Sequence, residues 1–372
     1  MVEGRSARIL ILVENLSVPF DRRVRQESRA LVEAGHEVVV VCPQGTTRDR
    51  EPRDVVDGVE ILRYPLTAAT GGPAGYVREY AAALWRTWRL TRRAAGTRGF
   101  DVVHACNPPD LLFLVAWPLQ RRGARFVFDH HDLVPELFLS RFYGEGTAPR
   151  LGRLLHRLAV VLERMTFHRA DWVIATNESY ARVAVERGRV PRARVSVVRS
   201  APDLDRFVQV PADPALKGGR EHLLCYLGVM GPQDGVDYAL RAVAHLRHDM
   251  GRDDIRAVFI GSGDVFDEMV ALSRTLEIDD VVHFTGRISD EDVQRHLSTA
   301  DVCLAPDPFN PLNDVSTMTK IVEYMAMSRP IVSFDLREAR VSAGDAAVYA
   351  PPNDEREFAR LVAALLDDPE RR

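Results

Sequence analysis

Lys320 stands in the stretch "NDVSTMTKIVEYMAMSRPIV", residues 313–332, and is one of only two lysines in the chain. With Ser316 or Thr317 as N-cap, the spacing predicts a helix over 317–327 with Lys320 in or near its first turn. That end of a helix already carries unpaired N–H groups and a partial positive charge, so a cation there is misplaced unless an anion faces it. The chemistry suggested is capture of a diphosphate by Lys320 and the backbone of Ser316, Thr317, Met318 and Thr319. Glu323 lies three residues beyond Lys320 and four beyond Thr319, close enough on the helix surface to accept from the paired hydroxyls of a ribose. The competing reading is a surface Lys–Glu pair, worth about 0.2–0.5 kcal/mol.

Three glycine loops reinforce the anion reading. "LGVMGPQDGVD" (227–237) carries Gly228, Gly231 and Gly235, "FIGSGD" (259–264) carries Gly261 and Gly263, and "FTGRI" (284–288) sets Gly286 before Arg287. Each follows a strand-like run, where backbone N–H groups can cradle phosphate. A plain strand-to-helix turn also favours glycine, so the weight comes from several such loops meeting at one sheet edge. In the first half, "FDHHDLVPELF" (128–138) sets His130, His131, Asp132 and Glu136 at a strand end, which suits hydrogen bonding or acid–base work. No His/Cys/Asp set has metal-ligand spacing, so no metal is expected. The first loop, "ENLSVPFDRRV", lacks G-x-G-x-x-G and so argues against a dinucleotide cofactor.

These residues need sheets to hold them. Short β-branched runs are expected as strands at 8–13, 37–42, 59–63, 101–105, 125–129, 172–175 and 194–198, and again at 222–227, 256–260, 281–284, 302–305, 331–334 and 347–349. Helical periodicity fills the gaps at 22–34, 74–95, 109–122, 150–168 and 178–187, then at 234–247, 265–276, 290–297, 317–327 and 355–367. The alternation predicts an α/β protein of two Rossmann-like, doubly wound domains facing across a cleft. Residues 1–205 form the first and 221–372 the second, with a Pro- and Gly-containing linker at 206–220.

The chain is 372 residues long, 46% apolar and 27% charged, which suits two ordinary globular domains. Its net charge of −4 hides an asymmetry: residues 1–205 hold 31 basic against 24 acidic side chains, and 206–372 hold 18 against 29. A basic first half points to an anionic partner such as a membrane surface or phosphorylated acceptor, although an Arg-rich composition with solvated faces explains it as well. Residues 78–98 combine six arginines and two tryptophans. With Leu84, Trp88 and Thr91 on one side they suit a helix on anionic lipid, or equally a solvated helix with buried tryptophans. Cys42, Cys106, Cys225 and Cys303 stand far apart and are expected as buried thiols in a reducing cytoplasm. Neither a signal peptide nor a membrane span is expected.

As an ordered set, these motifs resemble the family-4 retaining glycosyltransferases of the GT-B fold. "RRVRQESRALVEAGHEVVVVCP", "FDHHDLVPELF", "VVRSAPDLDRF", "LGVMGPQDGVD", "FIGSGD", "VHFTGRISDEDV", "ADVCLAP" and "KIVEYMAMSRPIV" carry the likeness over nearly the whole chain. The resemblance implies a nucleotide-diphospho-sugar donor on the second domain and an acceptor on the first. It implies Glu323 at the donor ribose, Arg287 at the nucleobase and His131 near the transferred sugar. Retention is implied too, without metal or cofactor, with the leaving phosphate taking the acceptor's proton.

Three departures stand out. The first glutamate of the family's pair falls on Val315, with Asp314 adjacent as a substitute. The Arg and Lys of the family's phosphate loop fall on Val229 and Asp234. The helix that usually crosses back to the first domain does not follow residue 372, so either the sequence is a piece of a longer chain or the domains are held less firmly, with a looser hinge and weak activity expected. The sequence-level expectation is a sugar transferase in polysaccharide or glycolipid assembly, at the cytoplasmic side of a membrane. Its acceptor would be a saccharide or membrane-borne, and no nucleic-acid partner is expected. A nucleotide-sugar epimerase and a non-catalytic sugar-nucleotide-binding protein are the alternatives.

Overall fold

A computed structural model describes residues 6–45, 49–66, 73–143 and 149–372. The chain divides into two compact units, Met1–Phe138 with Ala148–Arg199, and Leu139–Thr147 with Ser200–Arg372. The doubly wound α/β expectation holds for both.

The first unit is built on strands β1 (Arg8–Leu12), β2 (Glu37–Pro43), β3 (Arg53–Val56), β4 (Val59–Tyr64), β5 (Val102–Cys106), β6 (Arg125–His130), β7 (Trp172–Ala175) and β8 (Val195–Val197). They lie in the order β3-β4-β2-β1-β5-β6-β7-β8. Every pairing is parallel except β3 with β4. β1 and β2, "RILIL" and "EVVVVCP", are almost continuously apolar because a parallel sheet is covered on both faces. The helices are α1 (Arg22–Glu33), α2 (Pro73–Ala95), α3 (Phe113–Gln120), α4 (Val134–Tyr143, of which residues 139–143 are counted with the second unit), α5 (Arg150–Arg169) and α6 (Glu178–Glu186). Asp21 caps α1 by accepting from the Val24 N–H at 3.1 Å, and Asn177 caps α6 by accepting from Tyr180 at 2.7 Å. The crossover from β1 to β2 runs one way across the sheet, and those through α2, α3 and α5 run the other way. Right-handed connection therefore sets α1 on one face and α2, α3 and α5 on the opposite one.

The second unit is a six-stranded parallel sheet in the order β11-β10-β9-β12-β13-β14. Its strands are β9 (His222–Leu227), β10 (Ile255–Ile260), β11 (Val282–Gly286), β12 (Val302–Ala305), β13 (Ile331–Phe334) and β14 (Ala347–Ala350). Helices α7 (Val236–Ala244), α8 (Phe266–Thr275), α9 (Asp290–Thr299), α10 (Thr319–Ala326), α11 (Arg337–Ala343) and α12 (Glu355–Leu366) complete it. Tyr226, Phe259, Tyr324, Phe334 and Phe358 are fully buried in its core. The winding reverses between β9 and β12, so the loops leaving these two strands diverge and open a crevice at the strand ends.

The structure departs from the sequence reading in six places. β3 was not expected; it pairs with β4 through Asp57–Gly58, whose φ values of 51° and 78° make the left-handed two-residue turn of a hairpin. Helices α4 and α11 fall in stretches read as loop. α10 starts at Thr319, because residues 313–315 form a short 3-10 turn and Ser316 leaves it extended, with its hydroxyl turned back to the Leu312 carbonyl at 2.7 Å. Residues 206–220, read as a linker, are packed on the second unit. Val210 and Asp213 donate backbone N–H groups to Ser298 and Thr299, Gln209 donates to Met327, and Lys217 pairs with Asp301. In α2, Thr91 lies with Ala83, Thr87 and Ala95 on the buried face, so the outer face is carried by Trp85 and Trp88, with Arg89 and Arg92 stacked on their rings.

Candidate functional site

In the second unit, the loops after β9, β10 and β11 form one hydrogen-bonded layer. Gly228 donates to Ile260 at 3.0 Å, Met230 to Ser262 at 3.2 Å and Gly261 to Gly286 at 2.9 Å. The close approach of these backbones explains two of the glycines. A Cβ on Gly261, whose φ is +133°, would fall 1.8 Å from the Gly228 carbonyl oxygen, and one on Gly263 would fall 2.4 Å from that of Met230. Arg287 crosses to the neighbouring loop and donates its Nε–H to the Ser262 hydroxyl at 3.0 Å. From the other side of the crevice, Asn313 donates to the carbonyls of Gln233 and Pro308 and ties the loops after β9 and β12 together. Gly231, Gly263, Arg287 and the start of α10 thus belong to loops of neighbouring strands.

Lys320 has an anion in front of it, and that anion comes from the chain. Its ammonium is buried, 2.7 Å from Asp307 Oδ1 and 4.9 Å above the Tyr226 ring. The surface-pair reading is therefore amended: the pair is with Asp307 rather than Glu323, and it is interior rather than on the surface. Burial alone would strip the proton from Lys320, but Asp307, with help from Tyr226 and Asp234, reverses this and holds the ammonium more firmly protonated than usual. The second Asp307 oxygen is buried without a hydrogen-bond partner among the described residues. Asp234 accepts from the Gly231 N–H at 2.9 Å, so a carboxylate of the chain already takes a donor of the glycine loop. Burial pushes the Asp234 carboxyl up to about 6, against the pull of Lys320 and with the repulsion of Asp307 added.

The other expected residues fall as follows. Met318 is the N-cap of α10, and its own side chain makes no capping hydrogen bond. Thr319 opens the helix, Glu323 is buried one turn on, and Ser316 and Thr317 lie in the approach. Asp314 is turned to α11, accepting from the Arg337 N–H at 2.9 Å with the Arg337 guanidinium 3.5 Å away. Sequence reasoning missed Asp307 and Tyr226 as Lys320's surroundings. The available signal was a carboxylate two residues past the buried run "VCLA", where an unpartnered charge would be costly.

In the first unit, His131 joins a charged cluster built from α1, β5 and β6. The buried Asp129 carboxylate receives His104 Nε2 at 3.0 Å, His131 Nε2 at 2.8 Å and Arg23 Nη2 at 3.1 Å. Burial would raise Asp129, but His131 and His104 outweigh it and hold the carboxyl well below its usual range. Burial would likewise lower His131, and Asp129 carries it up to about 9 instead. Arg23 Nε also lies 2.9 Å from His131 Nε2. Arg23 is itself paired with both Asp129 and Glu27. Glu27 is pushed up to about 7 by burial and by Asp129. His130, by contrast, is core: it packs among Phe128, Phe167 and Tyr180.

Sequence spacing revealed no metal set, yet the fold gathers Glu27, His104, Cys106 and Asp129 from three elements, and Glu221, His222 and Asp254 elsewhere. In the first group the Arg23 guanidinium already lies at both carboxylates, 2.9 Å from Glu27 and 3.1 Å from Asp129, which fits an internal ion cluster better than a metal site.

Comparison with known proteins agrees with this architecture. Residues 21–201 match the family described as glycosyl transferase 4-like domain, and residues 221–368 the family described as glycosyl transferases group 1. A 2-deoxystreptamine glucosyltransferase of Streptomyces kanamyceticus is 27% identical over 365 residues, covering 93% of this chain and 89% of its own. Among solved structures, sucrose-phosphate synthase from Thermosynechococcus elongatus superposes with a TM-score of 0.77 at 18% identity, covering 99% of this chain and 91% of the other. HepE from Anabaena in complex with UDP-glucose gives 0.67 at 15% identity, covering 98% and 91%. Between them the two family matches span most of the sequence, and the chain belongs to the family-4 glycosyltransferases of the GT-B fold.

Proposed function

We propose that this glycosyltransferase takes its sugar from a nucleotide-diphospho-sugar bound at the strand ends of the second unit and transfers it with retention to an acceptor hydroxyl. The observation that carries the reading is the buried Lys320 ammonium in the first turn of α10, at the reversal between β9 and β12. The Anabaena relative, of like fold, holds UDP-glucose.

In this reading the donor diphosphate lies against the first turn of α10 and the loop around Gly231, with Lys320 behind it. Arg287 meets the base and Glu323 the ribose. The C–O bond between sugar and diphosphate breaks as the acceptor oxygen bonds to the anomeric carbon. The departing phosphate oxygen takes the acceptor's proton, and the positive end of α10 stabilises the charge that develops. His131, protonated at neutral pH, donates a hydrogen bond to the sugar and is no base. Asp314 lies near the sugar end, and no metal is required. The acceptor is a saccharide or lipid-linked saccharide of polysaccharide or glycolipid assembly, handled at the cytoplasmic face, with residues 78–98 touching the membrane.

A thermal-shift panel with UDP, GDP, ADP and dTDP, with and without magnesium, tests this. A ligand at ~100 times its dissociation constant adds about 2.7 kcal/mol, a shift of several degrees. Stabilisation by one nucleotide irrespective of magnesium, followed by acceptor-dependent release of that nucleotide, supports the reading; no shift with any of them overturns it. One observation favours a second reading, binding without turnover: Asp234 fills part of the glycine loop with negative charge. That reading predicts a shift and no release.

A further inference from the structure

The ladder between β5 and β6 stops early. β5 ends at Cys106, and Asn107 is followed by Pro108 and Pro109, neither of which has a backbone N–H. The last backbone rung is the Asn107 N–H donating to the Asp129 carbonyl at 3.2 Å. Beyond it the Asn107 side chain takes over. Its Oδ1 accepts from the His131 N–H at 2.6 Å and from the Asp132 N–H at 3.1 Å. Its Nδ2 donates to the Asp132 carbonyl at 2.7 Å and to Asp110 Oδ1 at 3.0 Å. Every hydrogen-bonding capacity of the amide is therefore used, on a side chain that is 1% exposed. Backbone N–H groups can only donate, so the amide oxygen must face them and the orientation of the group is fixed.

The segment gripped in this way carries His131. The Nε2 edge of its ring is taken up inside the protein, 2.8 Å from Asp129 Oδ2 and 2.9 Å from Arg23 Nε. Nδ1 has no partner among the described residues and is the edge left to meet a ligand. Asn107 itself bonds to backbone groups and to Asp110, not to the ring. Asp110 is anchored in turn, its carbonyl accepting from the Thr166 hydroxyl of α5 at 3.1 Å. A buried network of this kind is costly to leave half-made, which suits it to holding one geometry.

We propose that Asn107 is a positioning residue for sugar transfer: it supplies the missing rung between β5 and β6 and so sets the direction in which His131 presents Nδ1. The inference rests on the reading that His131 donates a hydrogen bond to the transferred sugar. A reacting geometry displaced by ~1 Å costs on the order of 10²-fold in rate, so the effect of losing Asn107 belongs in kcat. Nucleotide affinity, which that reading assigns to the second unit, stays as it is.

The test is carried out on the full chain, by NMR titration of His131 beside steady-state kinetics and nucleotide titration. The charged groups facing His131 are Asp129 and Asp132 from its own segment, His104 from β5, and Arg23 and Glu27 from α1. Asn107 is neutral, so Asn107→Ala changes none of them. The His131 imidazolium, held up to about 9 by Asp129, is expected to titrate lower by about one pH unit or more once its backbone is released. kcat falls roughly tenfold or more with the dissociation constant for the nucleoside diphosphate unchanged. In a His131→Gln background Asn107→Ala costs nothing further, because the group it positions is gone. Asn107→Asp, which keeps an accepting oxygen, recovers part of the rate. Should Asn107→Ala fail to fold in a thermal melt, Asp110→Ala frees the amide to turn and is read in the same way. The proposal is overturned if His131 titrates in the folded variant as in the parent, or if the loss in kcat is equal with and without His131. Transfer by His131→Gln at the parent rate would instead overturn the reading of His131, and the titration would still decide whether Asn107 orients its ring.

Discussion

A buried ammonium persists only with a partner, and Lys320 has Asp307. Lys320→Ala is expected to strand that carboxylate and cost about 3–5 kcal/mol of stability in the second unit. Replacing the pair by Lys320→Met with Asp307→Leu restores most of this, because neither charge is then left alone. Diphosphate binding separates the roles: both variants weaken it by about 1.5–3 kcal/mol, the worth of a charge-assisted hydrogen bond. Denaturant melts beside nucleotide titrations read the two effects. Asp234, pushed up to about 6, gives donor binding a pH dependence. A bound diphosphate raises it further, so binding takes up a proton and tightens as pH falls from ~8 towards ~5. Asp234→Asn mimics the protonated carboxyl; calorimetry with a nucleotide-sugar should find tighter binding at neutral pH and a flat profile. In the first unit, burial and then Glu79 push Glu14 from 4.5 up to about 8. Between those values the folded state holds a proton that the unfolded chain has released. Stability therefore falls as pH rises through this window, by up to about 1.4 kcal/mol per unit, and Glu14→Gln removes that slope in melts across it.

Among the elements, the glycine loops show how one residue type serves two purposes. Gly261 and Gly263 were singled out by a pattern that suggests phosphate, and the structure finds a reason in packing: a side chain at either would press on the backbone of the loop after β9. Gly261→Ala is expected to cost at least about 3 kcal/mol, from the clash and from a φ that alanine rarely adopts. Gly286→Ala meets nothing within 4 Å and bears only the strain of its φ of +66°. Its cost is about 1–2 kcal/mol, and urea melts of the two variants check the order. α10 illustrates the limit of capping rules. Ser316 and Thr317 have the right chemistry for an N-cap, but the preceding 3-10 turn delays the helix to Thr319.

At the scale of the molecule, the charge asymmetry and the two folding units run together. The basic residues concentrate in the half that carries α2 and α5, and the acidic ones in the half that holds Lys320. The described core of the second unit runs from Phe207 to Leu366 and draws nothing from earlier residues. A fragment of residues 200–372 is expected to fold cooperatively and to keep the nucleotide-induced thermal shift of the full chain, with all transfer activity lost. A fragment that folds but shows no shift would place donor binding outside this unit.

Much of the architecture was legible in the residues themselves. Alternating β-branched runs and amphipathic stretches determine strands and helices locally, since a parallel strand covered on both faces must be apolar almost throughout. The glycine loops, the odd placement of Lys320 and the split in charge could be read the same way. What only the tertiary structure decided were the partners. Asp307 lies thirteen residues before Lys320, beyond the reach of helix spacing. Asp129 collects His104 and Arg23 from other elements. The apolar stripe of Leu151, Leu154, Leu158, Val161 and Met165 on α5 is periodic in the sequence, and a periodic apolar face ordinarily signals a core, yet here it is exposed. Which face of a helix a sheet covers depends on the crossover and on its neighbours, so its exposure became visible only once the sheet was in place.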